Sequence, residues 1–123
     1  MYRVLIADDE MIERTVLFRT LDKNLKGQCQ IFQAENGRET LEIYEREQIQ
    51  ILILDIEMPG MNGIETFERM QKFSVKIPVI FLTASGDKDD VMSAIKLGAV
   101  NYLKKPFLPQ ELLKRVAKEF EGK

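Results

Sequence analysis

The 123-residue chain contains no histidine. Serine, cysteine and metal mechanisms that need an imidazole are therefore excluded, and so is a phosphohistidine carrier. Cys29 is the only cysteine, which excludes an internal disulfide and a thiolate metal cluster and favours a reduced thiol in a cytosolic protein. These absences leave carboxylates, hydroxyls and amines as the groups that could carry chemistry.

Long apolar runs, an export leader and excess positive charge are also missing. Apolar residues make up 45% of the chain and charged residues 31%, which is typical of a single folded domain in water. Asp8, Asp9 and Glu10 directly follow the first short apolar run, which argues against export and favours a cytoplasmic location. Because the net charge is -2, we expect no direct contact with nucleic acid, and we expect none with a membrane.

Short apolar runs alternate with longer stretches of helical periodicity. The runs are rich in Ile, Val and Leu and mostly lack polar alternation, as strands buried on both faces require. They cover residues 3–7, 30–34, 51–54, 79–82 and 101–104. Strands that alternate with helices close as crossovers on a parallel sheet, so the sequence predicts a doubly wound (βα)5 fold of the α/β class in one domain, residues 1–123.

Apolar residues at three- and four-residue spacing predict a helix after each strand. The predicted core positions of the first helix are Ile12, Val16, Leu17, Leu21 and Leu25. Those of the other four helices are Leu41 and Tyr44; Ile64, Phe67 and Met70; Val91, Ala94 and Ile95; and Leu112, Leu113, Val116 and Phe120. Glycines and prolines between the segments mark the turns.

Polar side chains follow four of the five predicted strands. In an open parallel sheet, ligands bind beyond the carboxyl ends of the strands. Asp8 and Asp9 follow the first strand, Asp55 the third, Thr83 the fourth and Lys105 the fifth. The sheet would thus bring carboxylates, a hydroxyl and an ammonium group to one edge.

Each of these residues also has an ordinary structural explanation. An aspartate after the first strand could cap the next helix, and Asp55 could belong to the turn that follows it. Thr83 could be a plain strand hydroxyl and Lys105 a solvated charge. A shared site is favoured because independent accidents rarely converge on one edge of one sheet.

Carboxylates gathered at this edge would destabilise the fold unless a cation lay between them. Two carboxylates ~4 Å apart repel by about 4 kcal/mol at an effective dielectric near ~20. An all-oxygen ligand set suits Mg²⁺, for which Mn²⁺ could substitute. A carboxylate can attack phosphorus, and Asp55, at the end of the most apolar strand, is the best-placed nucleophile. Lys105 and the Thr83 hydroxyl could align and neutralise the phosphoryl group.

Four motifs in order resemble the receiver domain of bacterial two-component response regulators. They are VLIADDE at residues 4–10, LILD at 52–55 followed by MPGMNG at 58–63, FLTA at 81–84 and GAVNYLKKPF at 98–107. The resemblance extends from residue 3 to about residue 120. It implies a flavodoxin-like fold with a five-stranded parallel sheet in the order 2-1-3-4-5.

The resemblance also implies roles for the acidic residues. Asp55 would accept a phosphoryl group from a sensor histidine kinase or a small phosphodonor. Asp9 and Asp55 would bind Mg²⁺ together with the backbone carbonyl of Glu57, and Asp8 would hold a metal-bound water. Such a domain is a phosphoacceptor that catalyses its own phosphorylation and dephosphorylation, and it is not a conventional enzyme.

Further roles fall on the residues after the fourth and fifth strands. Lys105 resembles the functional lysine of the family, in preference to Lys104, because that lysine directly precedes a proline; its bond to Pro106 would be cis. Thr83 and Tyr102 resemble the switch pair of the family. Phosphorylation would turn the hydroxyl toward the phosphoryl oxygens and let the ring rotate, which would alter the face built from the fourth helix, the fifth strand and the fifth helix.

Several alternatives stay open. In the family that this sequence resembles, the positions of Glu57 and Ser85 vary and tune hydrolysis of the phosphoryl group, so the lifetime of that group is not predicted. Asn101 stands where many DNA-binding relatives carry an acidic residue used in dimerisation, which leaves a monomer or a phosphorylation-dependent homodimer. The output could be transcription through a DNA-binding domain of a longer protein. Alternatively, the chain could be a stand-alone or degenerate receiver that acts as an interaction module.

Two enzyme or cofactor classes fit less well. Phosphohydrolases of the haloacid dehalogenase type also form an aspartyl phosphate, but they carry a second Asp where Glu57 stands here, on the first strand of a larger chain. Flavodoxin-like flavin binding would share the fold, yet the carboxylates of Asp8 and Asp9 would repel the phosphate of a flavin.

Overall fold

Strands alternate with helices as far as residue 83, and a further strand and helix lie in the described residues 101–121. The computed structural model describes residues 1–72, 77–84, 92 and 101–121. Its elements are β1 (Tyr2–Ala7), α1 (Met11–Asn24), β2 (Cys29–Ala34), α2 (Gly37–Arg46), β3 (Ile51–Asp55), α3 (Gly63–Met70), β4 (Val79–Thr83), β5 (Asn101–Lys104) and α4 (Pro109–Glu121). Helix α4 is the fifth predicted helix. The fourth predicted helix, with Val91, Ala94 and Ile95, lies outside the described residues.

The five strands form one parallel sheet in the order β2-β1-β3-β4-β5. This confirms the predicted α/β class, the doubly wound arrangement and the strand order 2-1-3-4-5. Each predicted apolar run matches its strand to within one residue at either end. No helix in the described ranges offers an apolar stretch that could span a bilayer.

Successive side chains of the central strands pack into two apolar cores, one on each face of the sheet. One core combines residues from the strands with residues from α2 and α3, among them Leu5, Leu52, Phe81, Ile43 and Phe67. The other combines strand residues with residues from α1 and α4, among them Val4, Ile53, Ile80, Leu21 and Val116. Because β1, β3 and β4 are covered on both faces, their side chains could be apolar without alternation.

Two apolar positions assigned to the core side of α1 are exposed, and the prediction was wrong for them. Leu17 and Leu21 are 4% and 0% exposed, whereas Ile12 and Val16 are 75% and 54% exposed. Ile12 and Val16 form an i,i+4 row that is displaced by one residue, or about 100° around the helix, from the row of Leu17 and Leu21. Their side chains therefore miss the sheet.

The beginning of β1 and the end of α4 lie side by side. The rings of Tyr2 and Phe120 stack with centroids 3.9 Å apart and planes at 5°, and the Tyr2 hydroxyl donates a hydrogen bond of 3.4 Å to the carbonyl of Phe120. Helix α4 thus ends at the amino edge of the sheet, opposite the edge where the strands finish.

Candidate functional site

The carboxyl ends of four strands place the predicted polar residues at one edge. Asp8 follows β1, Asp55 ends β3, Thr83 ends β4 and Lys105 follows β5. The Lys105 N–H donates to the Thr83 carbonyl at 2.7 Å, so strand-like pairing between β4 and β5 continues to the lysine itself. The backbone of the sheet therefore fixes where these side chains start.

Three carboxylates meet at this edge. Asp8, Asp9 and Asp55 each offer an oxygen within 4.8 Å of the others. Asp8 and Asp55 are 0% and 2% exposed, and Asp9 is half-buried. The buried Oδ2 of Asp8 accepts no hydrogen bond from the described residues, although such atoms are normally satisfied. An all-oxygen donor set with an unfilled buried acceptor fits a hard divalent cation such as Mg²⁺.

The Oδ1 atoms of Asp8 and Asp55 accept hydrogen bonds from the backbone of the loops in which these residues lie. Asp8 Oδ1 accepts the N–H of Glu10 at 2.9 Å, and Asp55 Oδ1 accepts the N–H of Glu57 at 3.2 Å. The N-cap position of α1 is Glu10, which makes no side-chain capping bond, so neither Asp8 nor Asp9 is the N-cap residue. The local bonds of Asp8 and Asp55 orient carboxylates whose other oxygens turn toward the cluster.

Lys105 reaches into this cluster, whereas Lys104 is exposed on β5. The Nζ atom of Lys105 lies 3.2 Å from Asp55 Oδ2, 3.7 Å from Asp8 Oδ2 and 2.6 Å from Glu13 Oε2. Burial disfavours the ammonium form, but the hydrogen bond to Glu13 and the charges of Asp55 and Asp8 outweigh it and raise the pKa of Lys105. The lysine is therefore a fixed positive charge.

Burial makes the two inner carboxylates weaker acids. It raises the pKa of Asp8 to about 6 and the pKa of Asp55 to about 7. The positive charge of Lys105 opposes this in both cases, and the charge of Asp8 adds to the rise at Asp55. Close to neutral pH, the cluster therefore favours an additional positive charge, from a proton or a metal ion.

Glu57 links the ends of β3 and β4 through its side chain. Its Oε1 accepts a hydrogen bond of 3.0 Å from the Thr83 hydroxyl, and its Oε2 accepts one of 3.2 Å from the Ala84 N–H. The sequence-based interpretation gave the Glu57 side chain a role only in tuning phosphoryl hydrolysis and did not foresee its hydrogen bonds with Thr83 and Ala84. A sequence signal for these bonds was available, because Glu57 lies only two positions after the strand-end Asp55 and β4 ends nearby at Thr83.

Glu13 is a site residue that sequence reasoning missed altogether. It lies in the first turn of α1, and the hydrogen bond from Lys105 lowers the pKa of its carboxyl group. An acid in the first turn of a helix is ordinarily explained by the helix dipole. Its contact with a lysine 92 positions away follows from the tertiary fold and has no local sequence signal.

The other residues of the predicted site lie around the cluster. Tyr102 lies on β5 beside Phe81 of β4, and its side chain is 44% exposed. The Lys105–Pro106 bond is cis, as expected. Ser85 lies outside the described residues.

Gly63 lets α3 begin directly against the loop that carries Asp55. A Cβ atom at Gly63 would lie 2.3 Å from the Asp55 carbonyl oxygen and 2.8 Å from Ile56 Cα. The same helix begins with a capping box, in which Asn62 and Glu65 exchange side-chain and backbone hydrogen bonds. The MPGMNG motif thus holds the carboxyl end of β3 in a tightly packed turn.

A pocket of about 480 Å³ adjoins the cluster. Asp8, Glu13 and Lys105 form its polar end. Its apolar lining comes from α1, α4 and the segment between β5 and α4, and includes Ile12, Val16, Pro106, Phe107 and Leu112. Ile12 and Val16, which are exposed apolar residues of α1, therefore border the same opening that leads to the carboxylates.

A doubly wound sheet with acids and a lysine at its carboxyl edge is the architecture of a phosphoacceptor signalling domain. The chain belongs to the response regulator receiver domain family, whose family model matches residues 4–117. Domains of this family accept phosphoryl groups, interact with histidine kinases and bind Mg²⁺ through an acidic cluster, and they are not classical enzymes. The resemblance seen in the sequence is confirmed.

Individual relatives agree with the family. Sporulation initiation phosphotransferase F of Bacillus subtilis is 36% identical over 116 residues, which cover 94% of this chain and 91% of that protein. Transcriptional regulatory protein CrdR of Helicobacter pylori is 41% identical over 92 residues, 74% of this chain but 43% of that protein. The structure of chemotaxis protein CheY4 of Vibrio cholerae superimposes with a TM-score of 0.85 at 30% identity, covering 97% of this chain and 98% of that one.

Proposed function

We propose that this chain is a receiver domain in which Asp55 accepts a phosphoryl group from a sensor histidine kinase. The observation that carries the proposal is the convergence at one sheet edge of the buried Asp55 carboxylate, the Lys105 ammonium 3.2 Å away, and the carboxylates of Asp8 and Asp9. Residues 1–123 would form this single domain, in the cytoplasm where such kinases present their phosphohistidine.

The chemistry is an in-line transfer from a phosphohistidine donor to the Asp55 acceptor. An Asp55 carboxylate oxygen attacks the phosphorus of the phosphohistidine, a phosphorus–oxygen bond forms, and the phosphorus–nitrogen bond breaks with its electron pair left on the imidazole. Lys105 neutralises charge on the transferred group, and the Thr83 hydroxyl can donate to one of its oxygens. The chain would catalyse its own phosphorylation in this way, and attack of water on the acyl phosphate would restore the Asp55 carboxylate and release inorganic phosphate.

Asp9, Asp55 and the backbone carbonyl of Glu57 would hold Mg²⁺, with Asp8 in the outer coordination sphere. The unfilled acceptor on Asp8 Oδ2 and the mutual proximity of the three carboxylates support this assignment. The ion, for which Mn²⁺ could substitute, supplies neutralisation of the phosphoryl oxygens. In its absence, Lys105 is the cation that offsets the buried charges.

Thr83 and Tyr102 would carry the switch. In the resting chain, the Thr83 hydroxyl is bonded to Glu57 and the Tyr102 ring is half exposed. When the hydroxyl turns toward a phosphoryl oxygen, the ring would move inward and change the surface formed by β5, α4 and the fourth predicted helix. The output would follow from altered protein contacts at that face, as a monomer or as a phosphorylation-dependent homodimer.

The pocket beside the cluster supports docking of the kinase at α1. A phosphohistidine must approach Asp55 closely, and the opening to the carboxylates is bordered by the exposed side chains of Ile12 and Val16. The buried core of a protein–protein interface is more apolar than the rest of the surface, so the exposed side chains of Ile12 and Val16 suit a contact with the partner. The partner would cover these two residues while its imidazole reaches the site.

The relatives support two alternatives for the whole protein: a receiver joined to an output domain, or a receiver that acts alone. CrdR is named as a transcriptional regulatory protein and is more than twice as long as the matched segment, which supports a DNA-binding output domain in a longer protein. Phosphotransferase F of B. subtilis is matched over nearly its full length, which supports a stand-alone receiver.

Incubation with acetyl phosphate and Mg²⁺ tests the proposed function. We expect one acid-stable, base-labile phosphoryl group on Asp55, located by mass spectrometry and absent from Asp55→Asn. Steady release of inorganic phosphate without a labelled protein would instead indicate a phosphohydrolase. No phosphoryl group and no release would indicate a degenerate interaction module, and either result would overturn the proposal.

A further inference from the structure

Two glutamate side chains occupy the hydrogen-bond donors around Asp55. Glu57 accepts from the Thr83 hydroxyl at 3.0 Å and from the Ala84 N–H at 3.2 Å, one donor on each carboxylate oxygen. Glu13 accepts from the Lys105 ammonium at 2.6 Å, which is shorter than the 3.2 Å between Lys105 Nζ and Asp55 Oδ2. All three donors are thus engaged by carboxylates.

The same three donors could form hydrogen bonds with the oxygens of a phosphoryl group at this edge. A carboxylate and a phosphoryl group both present negatively charged oxygens to N–H and O–H donors, and both form short, charge-assisted hydrogen bonds. Any phosphoryl group on Asp55 would need the same hydroxyl, amide and ammonium to offset its charge. The carboxylates and the phosphoryl oxygens therefore compete for one set of donors.

We propose that Glu13 and Glu57 are positioning residues that hold the phosphoryl-binding donors in the resting chain, and that an arriving phosphoryl group displaces both carboxylates. The inference rests on the proposed function of Asp55. It assigns a specific role to Glu13, which comes from α1, and to the side chain of Glu57, whose backbone serves a separate purpose.

Both glutamates are able to leave. The side chain of Glu13 is 45% exposed, and Glu57 is also exposed, so each carboxylate can turn into water without being buried unpaired. Thr83 is 1% exposed and the Lys105 side chain 16%, so the donors stay in place. In the bonds of Thr83 and Lys105 the more exposed partner is the glutamate, as a displaceable occupant requires.

The test compares Glu13→Gln, Glu57→Gln and the double variant with wild type. Glutamine keeps the shape of the side chain but forms weaker hydrogen bonds, because it lacks the charge. Glu35→Gln is the matched control: Glu35 is exposed at the same sheet edge after β2 and bonds none of the three donors. It reports the effect of removing one negative charge near the site without freeing a donor.

Two quantities are measured at saturating Mg²⁺: the second-order rate constant for phosphorylation by acetyl phosphate, and the dissociation constant of beryllofluoride, followed by ¹⁹F NMR. We expect each single variant to phosphorylate at least threefold faster and bind beryllofluoride at least threefold more tightly, and the double variant about ninefold. Glu35→Gln should stay within 1.5-fold of wild type. Titration with Mg²⁺ alone, by calorimetry, separates any change in metal affinity.

The outcomes separate the displacement of Glu13 and Glu57 from the proposed function of Asp55. If wild type is phosphorylated on Asp55 but Glu13→Gln and Glu57→Gln bind beryllofluoride no more tightly, this inference is wrong and the proposed function stands. Weaker binding together with a lower melting temperature would show a merely structural role and would also overturn it. An equal gain in Glu35→Gln would show a general charge effect instead. If wild type gains no phosphoryl group, the proposed function itself fails.

Discussion

Lys105 Nζ lies 3.2 Å from Asp55 Oδ2, although the two residues are 50 positions apart in the chain. Parallel pairing of β3 with β4 and of β4 with β5 brings them to the same sheet edge. The lysine side chain is 16% exposed and the aspartate 3%, so water screens the pair only weakly. A single ammonium therefore offsets much of the charge of the buried acids when no metal is bound.

Replacement of Lys105 by Ala should destabilise the metal-free chain. Loss of the ammonium leaves Asp8 and Asp55 buried without their cation, and we expect the free energy of unfolding at pH 8 in EDTA to fall by about 1–3 kcal/mol. The measurement is urea unfolding. Lys104→Ala is the control, since Lys104 is exposed on β5. An equal loss in the control would contradict the importance of the buried pair.

Asp9→Ala should stabilise the metal-free chain and remove its response to magnesium. One carboxylate fewer lowers the repulsion within the cluster, so the melting temperature in EDTA should rise by about 2–6 °C. The same variant should show no further increase when Mg²⁺ is added, because a ligand is missing. Differential scanning calorimetry with and without Mg²⁺ measures both effects. Lower stability in both conditions would speak against a metal pocket.

The stability of the metal-free chain should depend on pH through Asp55. Its pKa is about 7 in the folded chain against 3.8 for an ordinary aspartate, so the folded state binds the proton more tightly. This contribution is fully present below pH 3.8 and is lost as the pH rises through 7.

Between pH 5 and pH 8 in EDTA, wild type should therefore lose about 2–3 kcal/mol of unfolding free energy relative to Asp55→Asn. The comparison cancels the titration of shared groups that do not interact with Asp55. Excess Mg²⁺ should reduce the difference, since the cation favours the ionised carboxylate. A difference that stays constant with pH, or has the opposite sign, would rule out a raised pKa at Asp55.

Ile12→Ser should weaken phosphotransfer from a kinase but leave the small-molecule reaction intact. Ile12 is 75% exposed, so its loss costs little stability, yet it borders the pocket beside the cluster. We expect about a tenfold lower rate from a histidine kinase that phosphorylates the wild-type chain, and less than a twofold change with acetyl phosphate. Met11→Ser is the control, because Met11 is 69% exposed on the same helix and lines no part of the pocket.

Gly63→Ala should disturb the loop that carries Asp55. The added methyl group would meet the Asp55 carbonyl oxygen at 2.3 Å, and relief of that overlap requires a backbone shift costing about 2–4 kcal/mol. Gly27→Ala serves for comparison: its φ of 81° is strained, but the space around it is open, so only about 1 kcal/mol is expected. Urea unfolding and the phosphorylation rate should both show the larger defect at Gly63.

Much of the fold and the inner site could be predicted because they depend on simple periodicities. Buried parallel strands need continuous apolar runs, and the five runs identified all five strands. The carboxyl ends of parallel strands share one edge, which was enough to bring Asp8, Asp55 and Lys105 together. These inferences needed the order of elements along the chain and no knowledge of side-chain packing.

The remaining features depend on tertiary contacts that periodicity does not encode. Ile12 and Val16 fit a helical apolar pattern, but the rotation of α1 against the sheet decides which apolar row is buried. The contact of Glu13 with Lys105 depends on how α1 sits above β5. The hydrogen bonds of Glu57 to Thr83 and Ala84 depend on a rotamer that spans two loops.

The stacked rings of Tyr2 and Phe120 have a practical consequence for experiments. Since α4 finishes beside the start of β1, a fluorophore, affinity tag or surface tether joined behind that helix would sit on the far end of the molecule from the aspartates. A kinase in solution should therefore still reach the aspartates of a protein that is immobilised in this way.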